Sequence, residues 1–266
     1  MMRPGRTLFL FTRFVAQNIK IKLEYKADFV LMLFAGSILQ LLGLLFLGVL
    51  FSKIPPIQGW SMWEIVLLLA SIYFTEGVVS FAFEGMWRMM RVVNMGELDR
   101  MLLRPVSPIL QIVTYDLGIH GVGNMLTGIV LFVIALGQTH VTWTPDRILF
   151  MPVFLVSAAA IRIAISFAAN CSAFWLTSFY NAFPLMVYQM ADFAKYPTTL
   201  YTQPIPFFIT VVLPYAFISY IPAVYIFNKE PWGIGAWLAP VVALWCIVIA
   251  RSVFYHGLRR YDSPGN

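Results

Sequence analysis

Ile205-Pro206-Phe207-Phe208-Ile209-Thr210-Val211-Val212-Leu213-Pro214-Tyr215-Ala216-Phe217-Ile218-Ser219-Tyr220-Ile221-Pro222-Ala223-Val224-Tyr225-Ile226-Phe227 is the stretch on which the topology of this chain turns. It is apolar and long enough to cross a bilayer, since about 20 such residues span about 30 Å of hydrocarbon. Yet it holds Pro206, Pro214 and Pro222, with Pro204 just ahead. Each proline removes a backbone donor, and its ring clashes with the preceding turn. Broken helices at membrane depth are tolerated only where protein or a cavity surrounds them. The stretch therefore reads as a pair of short re-entrant or interfacial helices within an extracellular segment, 196–228.

Outward from it, six segments read as complete spans: 28–51, 62–83, 109–136, 148–171, 173–193 and 233–253. The fifth is the weakest, because Ser, Thr, Asn and Gln interrupt it. The expected fold is all-α, one transmembrane domain over 1–266. Residues 60% hydrophobic and 11% charged, with mean hydropathy +0.79, exclude an ordinary soluble domain, which carries about 25% charged residues. The largest surface of this chain must face lipid.

The placement of charge tests the count of spans. With the N-terminus inside, Arg3, Arg6, Arg13, Lys20, Lys22 and Lys26, then Arg88, Arg91, Arg100 and Arg104, then Arg251, Arg259 and Arg260 all lie inside. Only Lys53, Arg147, Lys195 and Lys229 lie outside, and Arg162 lies within a span. A full crossing by 205–227 would move the C-terminal arginines outside, against the positive-inside rule. Six crossings with both termini cytoplasmic are expected. The net charge of +6 thus serves orientation rather than a nucleic-acid partner. Cys171 and Cys246 lie in apolar stretches, form no CxxC pair and read as small core residues.

At the start, Arg13 interrupts the apolar run Thr7–Thr12, which argues against a cleaved signal. Residues 7–26 instead set Arg13, Gln17, Lys20 and Glu24 on one helical face and Leu8, Phe11, Val15 and Ile19 on another. This is the pattern of an amphipathic helix in the membrane interface, a simple extension of the first span being the plainer alternative.

The loop 84–108 contains Asn94-Met95-Gly96-Glu97-Leu98-Asp99-Arg100-Met101-Leu102-Leu103-Arg104-Pro105-Val106-Ser107-Pro108. Mixed charges, apolar residues at helical spacing and a closing proline describe a short amphipathic helix. Such a helix docks into a groove of a soluble partner, its apolar residues acting as anchors. Gly96-Glu97-Leu98-Asp99 through Leu102, Arg104 and Pro105 resembles the cytoplasmic loop of type-2 ABC exporter permeases, in the daunorubicin-export-like branch. The resemblance extends to Leu23-Glu24-Tyr25-Lys26-Ala27-Asp28-Phe29, to Phe193-Ala194-Lys195-Tyr196-Pro197, to Pro214-Tyr215-Ala216-Phe217 and to Pro222.

It implies a permease subunit in the inner membrane of a bacterium, working with a second copy or a related permease and with separate ABC ATPase subunits that hold ATP and Mg. It implies alternating-access export and gives Gly96, Glu97, Leu98, Asp99, Arg100, Leu102 and Arg104 the role of coupling helix. The amphipathic helix would be its connecting helix, and the proline-rich stretch its re-entrant helices. The residues agree on one negative: a P-loop needs Gly-Lys followed by Ser or Thr, and none of the six lysines follows a glycine. No cofactor or metal is expected on this chain. The rival reading is an ATP-independent secondary transporter, which should show inverted repeats; no clear repeat is present.

Ionisable residues inside a bilayer are costly and face a partner or a cavity. Glu76 and Arg162 each lie about 21 Å into spans that start outside, and Asp116 lies roughly 10 Å into one that starts inside. All three fall near the cytoplasmic third of the membrane. Arg162 is expected to be neutralised there by Glu76, Asp116 or both, either as a structural lock or as part of the substrate path. Among the aromatics, Trp60, Trp63, Trp143 and Trp232 read as interfacial anchors. Phe174, Trp175, Phe179 and Tyr180 read as lipid-facing packing or an apolar path.

Overall fold

The computed structural model describes residues 4–24, 26–53, 56–176, 181–229 and 231–263. Among these residues the regular structure is helical, apart from one isolated bridge between Ile57 and Trp60. Helices α1 (Pro4–Glu24) and α2 (Lys26–Lys53) lead to α3 (Met62–Phe83), which a 3-10 turn at Glu84–Arg88 joins to α4 (Met89–Asn94). Then come α5 (Glu97–Leu102), α6 (Pro108–Val113), α7 (His120–Gln138) and α8 (Pro145–Asn170).

Beyond α8 the chain is built of short pieces. Helix α9 (Ala182–Gln189) runs into a 3-10 turn at Met190–Lys195. Helix α10 (Ile205–Phe207) continues as a π-helical turn at Phe208–Val212, and α11 (Tyr220–Phe227) follows. A 3-10 run at Pro231–Leu238 opens α12 (Ala239–Leu258). Among the described residues, five stretches are long and apolar enough to cross a membrane: Lys26–Lys53, Met62–Asn94, His120–Gln138, Pro145–Phe174 and Gly233–Leu258.

Helix α3 is the hub. Its residues from Ile65 to Ile72 are buried, in contrast to α2 and α12, which carry Leu31, Leu45, Val49, Leu244 and Trp245 outward. Exposed apolar side chains on that scale mark a lipid-facing surface. Antiparallel α3 and α7 touch through glycines. A Cβ on Gly77 would fall on the backbone of Met125, and one on Gly121 would fall on the backbone of Phe81. Small residues let membrane helices approach until their backbones meet, which replaces a hydrophobic driving force that lipid does not supply. Helices α8 and α12 are parallel. Phe150 early in α8 meets Trp237 just before α12 at 5.2 Å, and Phe167 late in α8 meets Phe254 late in α12 at 5.6 Å.

The third expected span, 109–136, differs from the structure in its first part: α6 ends at Val113 and α7 starts at His120. Local bonds replace the helical ladder between them. The Asp116 carboxylate accepts the N–H of Leu117 (2.9 Å), and the N–H of Gly118 reaches the Ser80 carbonyl at 3.0 Å. The fifth, 173–193, is likewise no single helix among the described residues. It is a 3-10 turn at Cys171–Phe174, α9 and the turn at Met190–Lys195. Asn181 donates from Nδ2 to the Trp87 carbonyl (2.9 Å), and Pro184 stands in the first turn of α9, where its missing donor costs nothing.

The proline-rich stretch folds back on this segment. The Tyr215 hydroxyl donates to the Val187 carbonyl (3.0 Å) and the Ser219 hydroxyl to that of Ala194 (2.5 Å). Both bonds end on carbonyls of the α9 segment and tie the two broken stretches to each other. Trp60, expected at an interface, is only 3% exposed and packs against Tyr220 and Phe227. Above it, Lys229 pairs with Glu64 (2.9 Å) and donates to the Gly59 carbonyl (2.6 Å), while the Tyr225 hydroxyl donates to Asp146 (2.5 Å). The far end of α11 is thereby fastened to the first turns of α3 and α8. Phe179 and Tyr180 lie outside the described residues, as does the side chain of Trp232.

Candidate functional site

Helix α1, the α4–α5–α6 hairpin and the last turns of α12 converge at one end of the bundle. On α1, Arg13, Gln17, Lys20 and Glu24 are exposed, and Phe11, Val15 and Ile19 are half-buried, as the amphipathic pattern requires. Phe11 stacks near Phe83 at the foot of α3 (5.7 Å), and Asn18 donates to the Thr114 carbonyl (3.1 Å). The helix lies across one end of the bundle, against the foot of α3 and the start of the 114–119 break, rather than extending the first span.

Helix α5 turns off α4 at Gly96, whose φ of +69° belongs to the left-handed region. A residue with a Cβ is strained there by roughly 1–2 kcal/mol. Leu98 and Met101 are buried and hold α5 to the bundle. The polar residues split in two. Glu97 pairs with Arg91 (3.3 Å) and accepts from the Tyr115 hydroxyl (3.3 Å), while Asp99 accepts from the Ser263 hydroxyl (2.5 Å). Tyr261 near the same carboxylate has its phenol pKa pushed up to about 12, by burial first, then by hydrogen bonding to Asp99 and by its charge. Arg100, Leu102 and Arg104 are exposed, and Leu103 is 86% exposed. Gly96, Glu97, Leu98 and Asp99 thus position α5, and Arg100, Leu102, Leu103 and Arg104 form its outward surface. Leu103 escaped the sequence reading, although a leucine between Leu102 and Arg104 in a polar loop was the available signal.

The intramembrane cluster assembles only in part. Arg162 is 1% exposed. Its guanidinium lies over the Tyr188 ring at 4.7 Å and the Tyr215 ring at 5.4 Å. Desolvated cation–aromatic contacts of this kind contribute about 2 kcal/mol. Glu76 couples electrostatically to both Arg162 and Tyr188, and also accepts from Asn124 at 3.3 Å. Nε and Nη1 of Arg162 have no protein hydrogen-bond partner.

Asp116, expected beside this arginine, belongs elsewhere. It accepts from Arg88 at 2.8 Å and pairs with Lys22 of α1 at 3.1 Å. Burial raises its pKa, but the bonds from Arg88 and Lys22 outweigh that and hold the carboxyl below its ordinary range. The correction follows from the break between α6 and α7, which turns Asp116 toward the end of the bundle. No pattern in the sequence links Tyr188 and Tyr215 to Arg162, because both come from segments whose course is set by packing.

A bundle of long apolar helices with a buried cation inside defines a polytopic membrane protein. Residues 37–265 match the model of the ABC-2 family transporter protein, and the chain belongs to that family. It is the membrane permease of an ABC transporter. No curated protein and no solved structure matches it.

Proposed function

We propose that this chain is the permease half of an exporter of the daunorubicin-export-like branch, driven by separate ATPase subunits that bind ATP and Mg and dock on α5. The observation that carries the reading is the division of labour on α5. Buried Leu98 and Met101 fix it to the bundle, and exposed Leu102 and Leu103 face outward beside Arg100 and Arg104. Apolar anchors ringed by charge suit a groove on a soluble partner. A second permease copy or a related chain completes the substrate path, and alternating access moves the substrate out of the cytoplasm across a bacterial inner membrane.

Six crossings with both termini cytoplasmic suit the parallel pairing of α8 and α12. For two parallel neighbours to follow one another in the chain, the residues between them return across the membrane. The fifth crossing on this reading is composite: α9, the turn at Met190–Lys195 and α11, with the proline-rich part as a re-entrant excursion between them.

The test is purification from native membranes with a mild detergent, followed by identification of bound P-loop ATPase and measurement of ATP hydrolysis. Leu103→Asp is expected to leave the permease in the membrane and lower the recovered ATPase at least about tenfold, the loss of an interface anchor. A permease that emerges without a nucleotide-binding partner would return the chain to the secondary-transporter reading.

A further inference from the structure

A cleft of about 420 Å³ separates α1 from α5 and α6, lined on one side by Phe14, Asn18 and Ile21 and on the other by Arg100, Arg104 and Gln111. Two features of it point to a ligand. Among the described residues neither Arg100 nor Arg104 has an ion-pair partner, whereas Glu97 in the same wall is already paired with Arg91. The cleft therefore carries two uncompensated positive charges. Gln111 lines its floor and is buried; its amide nitrogen donates to the carbonyls of Met101 (2.9 Å) and Val106 (3.0 Å), which fixes the end of α5 that carries Arg104 to α6. The α1 wall is amphipathic: Ile21 is exposed, Leu23 beyond it is exposed on the same helix, and α2 carries exposed Val30, Leu31 and Phe34.

We infer that this cleft binds the headgroup of an anionic glycerophospholipid, its phosphate between Arg100 and Arg104. Guanidinium groups hold phosphate oxygens with paired, charge-assisted bonds. The two net charges favour an anionic headgroup over a zwitterionic one. Exposed Ile21 and Leu23 on α1 and the exposed apolar side chains of α2 favour a lipid over a soluble phosphate, because acyl chains use such surface and inorganic phosphate does not. A lipid so held would fill the space between the amphipathic helix and α5.

The inference does not rest on the ATPase reading, and its test contains no ATPase. The purified chain in nonionic detergent is titrated with phosphatidylglycerol, phosphatidylcholine or inorganic phosphate, and bound ligand is counted by native mass spectrometry. Phosphatidylglycerol is expected to bind about thirtyfold more tightly than phosphatidylcholine, the preference that two cations near an anionic headgroup supply. R100Q/R104Q should abolish that preference. R259Q/R260Q, which removes equal charge from exposed positions outside the cleft, should keep it. Equal binding of the two lipids, a preference that survives R100Q/R104Q, or inorganic phosphate that displaces the lipid at equal concentration would each overturn the proposal. None of these results bears on whether Leu103 anchors an ATPase.

Discussion

Arg162 has its guanidinium over two tyrosine rings, and Glu76 acts electrostatically on both the guanidinium and Tyr188. A buried cation without such partners would not survive inside a bilayer. Removing it strands Glu76 and empties the space over both rings. Arg162→Ala is expected to cost roughly 3 kcal/mol, as breaking a buried charge pair does, read as a lower melting temperature in detergent. Arg162→Lys keeps the charge but not the flat fork that stacks on rings, so its loss should fall between wild type and alanine. Combining Arg162→Ala with Glu76→Gln should cost less than the two singles added together, by about 1 kcal/mol or more. Strict additivity would mean that the two residues do not neutralise each other.

At the scale of elements, Asp116 is a joint. It ties Lys22 of α1 to Arg88 at the foot of α3, so the amphipathic helix is held by charge as well as by Phe11. Because its folded pKa is depressed, the stabilisation is present above the ordinary carboxylate value of about 3.9 and is lost as pH falls through the folded value. Hydrogen exchange should therefore show α1 protected at neutral pH and released only below about pH 4. Asp116→Asn should release it already at pH 7. The glycine contacts between α3 and α7 are a second joint, made of backbone. Gly77→Val drives a side chain into Met125, and the cost of such overpacking is typically 1–3 kcal/mol, measured by melting or by loss of membrane-inserted protein. The amphipathic pattern of α1 and the long apolar runs were legible because period and hydropathy are local properties. The breaks at 114–119 and within 173–193 were not, because hydrogen bonds to Ser80, Trp87 and Tyr215 come from distant parts of the chain.

At the scale of the molecule, the parallel run of α8 and α12 carries a topological prediction. His140 and Gly235 should face one side of the membrane and Arg260 the other. In a background with Cys171 and Cys246 replaced, His140→Cys and Gly235→Cys should react with a membrane-impermeant maleimide in intact cells. Arg260→Cys should react only after lysis. Labelling of Gly235→Cys from the side opposite His140→Cys would leave five crossings and remove the composite fifth.

Composition, the spacing of apolar runs and the distribution of lysine and arginine were enough to establish an all-α membrane protein. They also marked out an amphipathic helix and a short loop helix, since period and hydropathy are local properties. The proline-rich stretch could be recognised as unable to form one continuous helix, for a missing N–H is a property of the residue itself. Which acid attends Arg162, where Asp116 turns and which face of α5 stays open belong to packing. Side chains from distant segments compete there for the same few buried partners, and only the folded arrangement says which of them meet.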